Sequence, residues 1–107
     1  MRESSFKLWQ MKDGQAFISG NKTYLKVRNI KGLNLSHADS QMVLDIESGK
    51  IYIHKNWSKG IIVPFDGDYY VIKDSSFINV PKNLRLVLNV KSGRLELFDG
   101  EKRVKEL

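Results

Sequence analysis

The sequence predicts an all-β fold: an antiparallel barrel or sandwich built from an internal duplication of a unit of about 45 residues and roughly four strands. Three observations predict it. Tyr-Leu-Lys-Val-Arg-Asn at residues 24–29 recurs as Tyr-Tyr-Val-Ile-Lys-Asp at 69–74, an offset of 45 (69 − 24). Val-Leu-Asp-Ile-Glu-Ser-Gly-Lys-Ile at 43–51 recurs as Val-Leu-Asn-Val-Lys-Ser-Gly-Arg-Leu at 87–95, an offset of 44 (87 − 43). Finally, apolar residues alternate with polar ones at the period of a half-buried strand, and no stretch carries the period of an amphipathic helix. The chain reads as one domain, 1–107, with repeats at approximately 6–50 and 51–98.

The elements follow in order. Residues 6–9, Phe-Lys-Leu-Trp, read as a strand that returns as Ile-Tyr-Ile-His at 51–54 and as Leu-Glu-Leu-Phe at 95–98. A hairpin joins residues 15–19 to 23–28 around Gly20, Asn21 and Lys22, and its copy joins 60–65 to 68–73 around Asp66-Gly67, a strong short-hairpin signal. Pro64 has no N–H for a ladder, so its strand belongs at an edge or a bulge. Residues 33–35 and their counterparts 78–80 follow at the same offset. In residues 42–47, Met42, Leu44 and Ile46 alternate with Val43, Asp45 and Glu47. A two-residue Ser48-Gly49 turn then sets Glu47 opposite Lys50, Ile46 opposite Ile51 and Leu44 opposite Ile53. The second copy repeats this register around Ser92-Gly93 and faces Lys91 with Arg94, a like-charge pair. Residues 99–107 read as a short terminal strand or a frayed tail.

Composition narrows the class. With 41% hydrophobic and 28% charged residues, the chain is globular rather than disordered. It has no cysteine, which excludes disulfides and thiolate metal sites and fits a reducing compartment. The first seven residues lack the apolar core of a signal peptide, and no run approaches the ~20 apolar residues of a membrane span. The expectation is a cytoplasmic protein with no membrane association.

The formal net charge of +6 points to an anionic partner, yet it is shared evenly between the halves rather than gathered in a basic tail. Catalytic signals are few. His37-Ala-Asp39 and His54 are the histidine-centred features, and the counterpart of His37 is Lys82, as expected of a solvated loop position. No Gly-rich phosphate loop, zinc-finger spacing or nucleophile elbow occurs. The expectation is a protein that is not an enzyme, with no cofactor and no metal.

The face opposite the expected core carries the functional reading. The predicted register puts Tyr52 opposite Asp45, His54 opposite Val43, and Phe98 opposite Val87, with Trp9 at the same level. Trp9, Val43, Tyr52, His54 and Phe98 are the candidate interface. Val43, Val87 and Phe98 alternatively lie beneath a second layer of a sandwich. Lys26, Arg28, Lys50, Tyr52, Lys55, Trp57, Lys91 and Arg94 form the candidate nucleic-acid surface, because aromatic rings stack on bases while lysine and arginine hold phosphates. The leading expectation is a nucleic-acid-binding protein. The alternative is a protein-interaction or assembly module, homo-oligomeric or binding another protein, and the third reading is a small-ligand or sugar-binding barrel. Residues 44–52, Leu-Asp-Ile-Glu-Ser-Gly-Lys-Ile-Tyr, resemble the last hairpin of a β-propeller blade; the resemblance covers one hairpin per copy, and two blades do not close a propeller.

Overall fold

The computed structural model describes residues 4–30, 40–55, 57–75 and 78–107, and within these the side chains of all but residues 4, 9, 55, 57 and 58. The described chain is all-β with two antiparallel sheets, one of them a curled half-barrel. Its strands are β1 (Ser4–Lys7), β2 (Ala16–Ser19), β3 (Lys22–Val27), β4 (Ser40–Asp45), β5 (Lys50–Lys55), β6 (Trp57–Val63), β7 (Tyr69–Val71), β8 (Arg85–Asn89), β9 (Arg94–Asp99) and β10 (Lys102–Glu106). A single 3₁₀ turn, Leu8–Gln10, interrupts the first predicted strand. The six-stranded sheet runs β1-β6-β2-β3-β4-β5 and the four-stranded sheet β10-β9-β8-β7. Among the described residues no helix is long and apolar enough to cross a membrane.

Period-two alternation fixes the core. Leu25, Val27, Met42, Leu44 and Ile51 of the large sheet face Leu86, Leu88, Leu95 and Leu97 of the small one, all buried in one cluster. Burying each such side chain stabilises the fold by about 1.5–3 kcal/mol. The large sheet is apolar on its other face too. There Leu8, Met11, Phe17 and Val43 form a second buried cluster flanked by Phe6 and Tyr24. Phe17 meets Phe6 edge-on at 5.4 Å and stacks on Tyr24 at 5.3 Å. A sheet buried on both faces needs a layer on each side, and the turn at Leu8–Gln10 contributes to the second one.

The β2–β3 hairpin forms as expected, though its turn is the two residues Gly20 and Asn21, both left-handed at φ 57° and 67°. The later hairpins differ from the predicted register by two residues. Asp45 pairs with Lys50, Leu44 with Ile51, Val43 with Tyr52 and Gln41 with His54. The reason is side-chain chemistry. Asp45 Oδ1 accepts from the backbone N–H of Glu47 and Ser48 at 3.0 and 3.4 Å, and the N–H of Gly49 (φ 73°) bonds the Asp45 carbonyl at 2.8 Å. This Asx turn spends four residues where a Ser-Gly turn spends two. Asn89 does the same for Lys91 and Ser92, with Gly93 at φ 71° closing the turn. Arg94 therefore lies opposite Asn89, and the expected Lys91–Arg94 like-charge pair does not form. A two-residue slip preserves the faces, so the core is unchanged.

The Asp66-Gly67 hairpin is also corrected. β6 pairs with β1 and β2 in the large sheet, while β7 pairs with β8 in the small one. Gly67 does not take the positive φ that the predicted turn requires. Gly60 lets β6 approach β2 closely, because a Cβ there would collide with the Ile18 carbonyl. The segment from Pro64 to Asp68 thus crosses between sheets.

Two three-stranded units share one pairing pattern. Tyr24–Asp45, Leu25–Leu44 and Lys26–Val43 in β3–β4 correspond to Tyr69–Asn89, Tyr70–Leu88 and Val71–Val87 in β7–β8. The hairpin tips are exchanged between units: the Lys73 N–H donates to the Gly49 carbonyl at 2.9 Å, and the Arg28 N–H to the Gly93 carbonyl at 2.7 Å. Residues 99–107 supply the terminal strand β10, with a bulge between Arg103 and Lys105.

Candidate binding surfaces

The outer face of β3–β4–β5 brings several predicted residues together. Lys26, Val43 and Tyr52 form one row across three strands. Their burial is not that of a docking surface. Lys26 is 3% exposed, with its ammonium donating to Asp13 at 3.2 Å and to the Val27 carbonyl at 3.0 Å. Val43 is fully buried against the second cluster. Both hold the outward parity; the layer containing Leu8 and Met11 covers Val43, while Asp13 takes the Lys26 ammonium. Arg28 lies 3.9 Å from the same Asp13. At the edge, Tyr52 is 37% exposed and carries the Lys50 ammonium over its ring at 5.1 Å. His54 is half-buried on the same strand, opposite Gln41. The side chains of Trp9, Lys55 and Trp57, and all of His37, lie outside the described residues.

Electrostatics bind this face to itself. Lys22 donates to Asp45 at 3.3 Å, and that hydrogen bond holds the ammonium pKa above its ordinary value. Burial pushes the Asp45 carboxyl up, but the Glu47 and Ser48 N–H groups and Lys22 outweigh it and leave the pKa lowered. The remaining predicted cations sit on the other sheet. Lys91 pairs with Asp68 at 3.4 Å and Arg94 with Glu106 at 2.6 Å.

The outer face of the four-stranded sheet is organised differently. Tyr69 is 54% exposed and Val71 46% exposed, both on β7. Tyr69 meets Phe98 of β9 edge-on at 5.5 Å across the buried Val87 of β8. These residues, with Arg85 and Glu101, line a shallow hollow of about 300 Å³. Arg85 Nη2 donates to the Gly100 carbonyl at 2.6 Å, which anchors one wall. Glu96, between Phe98 and Arg94 on the same face, is 0% exposed. Its Oε2 accepts from Arg103 Nη1 at 3.1 Å and its Oε1 has no partner among the described residues. The Glu96 carboxylate raises the Arg103 guanidinium pKa above its ordinary value.

β7 is also an open edge. Ile72 N–H bonds the Leu86 carbonyl and Val90 N–H the Asp68 carbonyl, both at 2.9 Å. Antiparallel alternation then directs the backbone groups of Tyr70 toward β8 and those of Tyr69 and Val71 away from it. Among the described residues no strand covers that side. The opposite edge, β10, is protected by Lys102, Arg103, Lys105, Glu106 and its bulge.

Of the residues on this face, Phe98 was named from the sequence as an interface candidate; Tyr69, Val71, Glu96 and Arg103 were not. The signal for Tyr69 was present, since the 45-residue offset equates it with Tyr24. A hollow of about 570 Å³ lies where residues 12–15 meet residues 63–68 and the second hairpin tip. It opens to solvent at a corner of the fold rather than lying inside a barrel. Among the described residues no group of three histidine, aspartate or glutamate side chains is placed to hold a metal ion. No protein family, curated protein or solved structure matches the chain.

Proposed function

We propose that this chain is a non-catalytic binding protein whose partner is another polypeptide, held on the outer face and open edge of the four-stranded sheet. One observation carries the reading: Tyr69 and Val71 expose their side chains on a strand whose outer edge pairs with no strand among the described residues. Aromatic residues beside an arginine are the groups enriched where interfaces draw most of their binding energy, and Tyr69, Phe98 and Arg85 supply them. The charge pattern favours a polypeptide over a polyanion. Lys26, Arg28, Lys91 and Arg94 are each within 4.0 Å of a carboxylate, which nucleic acid would have to displace.

A second reading, single-stranded nucleic acid along β5, is favoured by the Lys50–Tyr52 stack beside Lys22 and by the net charge of +6. The matched pairing of β3–β4 and β7–β8 supports treating the two units as copies of one ancestor that now differ in use.

A photo-reactive side chain placed at position 69 in the producing cell tests the first reading. It predicts a protein adduct that excess unlabelled chain displaces and that Phe98→Asp diminishes. Adducts to nucleic acid alone, or the same protein adducts from exposed position 82, would overturn it.

A further inference from the structure

The two units share three matched strands, β3-β4-β5 and β7-β8-β9, and among the described residues differ in their flanks: β10 lies beside β9 whereas β5 is an edge, and β2 lies beside β3 whereas β7 is an edge. In the first unit the outer edge of β3 is occupied by β2: Ala16 pairs with Leu25 and Phe17 with Tyr24. The Lys26 N–H donates to the Gln15 carbonyl at 2.8 Å, and the Gly14 N–H to the Lys26 carbonyl at 2.7 Å. Tyr24 and Lys26 are thus the residues whose backbone groups point outward and are satisfied by a neighbouring strand. Their counterparts at the 45-residue offset are Tyr69 and Val71, whose outward groups meet no strand among the described residues. The segment that stands to β7 as β2 stands to β3 is residues 60–64. Up to Val63 it has joined the other sheet as part of β6, where Ile61, Ile62 and Val63 pair with β2 itself.

The first unit also shows the chemistry that fills such a position. Phe17 is fully buried and stacks on Tyr24 at 5.3 Å with 25° between the rings, while small Ala16 lies beside it. Tyr69, the counterpart of Tyr24, is 54% exposed and among the described residues meets one ring, Phe98. From this internal comparison we infer that the edge of β7 takes an extended segment of a partner polypeptide, added antiparallel as a fifth strand. The segment has β2's character, with an aromatic residue facing Tyr69 and a small residue facing Tyr70. Backbone hydrogen bonds to Tyr69 and Val71 supply affinity, and the aromatic stack supplies selectivity. The inference rests on the polypeptide-binding reading and specifies its geometry.

The probe is a synthetic peptide copying residues 14–20, Gly-Gln-Ala-Phe-Ile-Ser-Gly, added to the intact protein. Saturable binding is expected, with slowed amide exchange at Tyr69 and Val71 and no change at Tyr70 or Ile72. Replacing the peptide's phenylalanine with serine is expected to weaken binding about tenfold. Val71→Pro, which removes an outward N–H that β8 does not use, is expected to abolish it while leaving the Ile72 amide protected. Should that variant unfold, the exchange pattern of the wild-type complex decides alone. No binding at millimolar peptide, or binding without slowed exchange at Tyr69 and Val71, overturns the inference. In that event a displaceable protein adduct from position 69 would leave the wider reading standing, and the loss of both results would remove the two together.

Discussion

Replacing Asp45 with alanine or with asparagine separates the two jobs this side chain performs. Asp45 is buried, and its Oδ1 accepts from the N–H groups of Glu47 and Ser48 while Oδ2 pairs with Lys22. Hydrogen bonds to a charged acceptor contribute about 1.5–3 kcal/mol each when well formed. Here one bond is long, at 3.4 Å, and both donors lie near solvent. Asp45→Ala is therefore expected to destabilise by about 2 kcal/mol, a fall in melting temperature of roughly 10 °C for a domain of this size. Asparagine keeps the acceptor and loses the pairing with Lys22. Asn89 already closes the second hairpin that way, so Asp45→Asn is expected to lose only a few degrees.

The pH dependence has a definite sign. The Asp45 pKa is lowered on folding, so its ionised form contributes stability that is present above the free carboxyl value, about 3.9, and is lost as pH falls through the folded value. Urea unfolding followed by circular dichroism at neutral pH and near pH 3 reads both effects. The gap between wild type and Asp45→Asn closes on acidification, and the gap to Asp45→Ala narrows. An asparagine variant as unstable as the alanine one, or gaps unchanged by acid, would refute the turn assignment.

Five further substitutions follow from the packing. Gly93→Ala forces a Cβ against Asp13 and the Gly14 backbone at φ 71°, so it is expected to cost roughly 3 kcal/mol by thermal unfolding. Gly100→Ala, with φ 61° and open space around it, isolates the conformational part at about 1–2 kcal/mol, and equal losses would count against the sheet contact. Val43→Ala removes two methyl groups from a closed cluster and is expected to cost about 2 kcal/mol, whereas a loss within a few tenths would place Val43 at the surface. Glu96→Leu is expected to keep or raise the urea midpoint by removing a buried oxygen that has no partner among the described residues, while Arg103→Ala lowers it by stranding the buried carboxylate; the reverse order would contradict the assigned pair.

Much of the fold was legible because period-two alternation fixes which face a residue occupies, and that survives errors of register. Leu44, Ile51, Leu88 and Leu95 are core residues in the predicted and the observed pairing alike. The two-residue slip was hidden because Ser-Gly is a turn signal in its own right. Asp45 and Asn89, at the same place in the two hairpins, cap the longer turn. Asp66-Gly67 misled for a physical reason: turn chemistry permits a hairpin, but the choice of neighbour was made by β2, which Gly60 allows β6 to approach. The proposed binding face was least legible. Lys26 and Val43 have outward parity, and only the fold shows the layer above Val43 and the Asp13 carboxylate beside Lys26. Glu96 reads as a solvated residue between two leucines until β10 brings Arg103 over it.

Amide hydrogen exchange across β7 in the free protein tests the central claim most directly, namely that the four-stranded sheet presents an open edge beside Tyr69 and Phe98. The account predicts fast exchange at Tyr69 and Val71 and strong protection at Tyr70 and Ile72, whose backbone groups face β8. Equal protection at all four residues would mean that the edge is already paired, and the proposed surface would be lost with it.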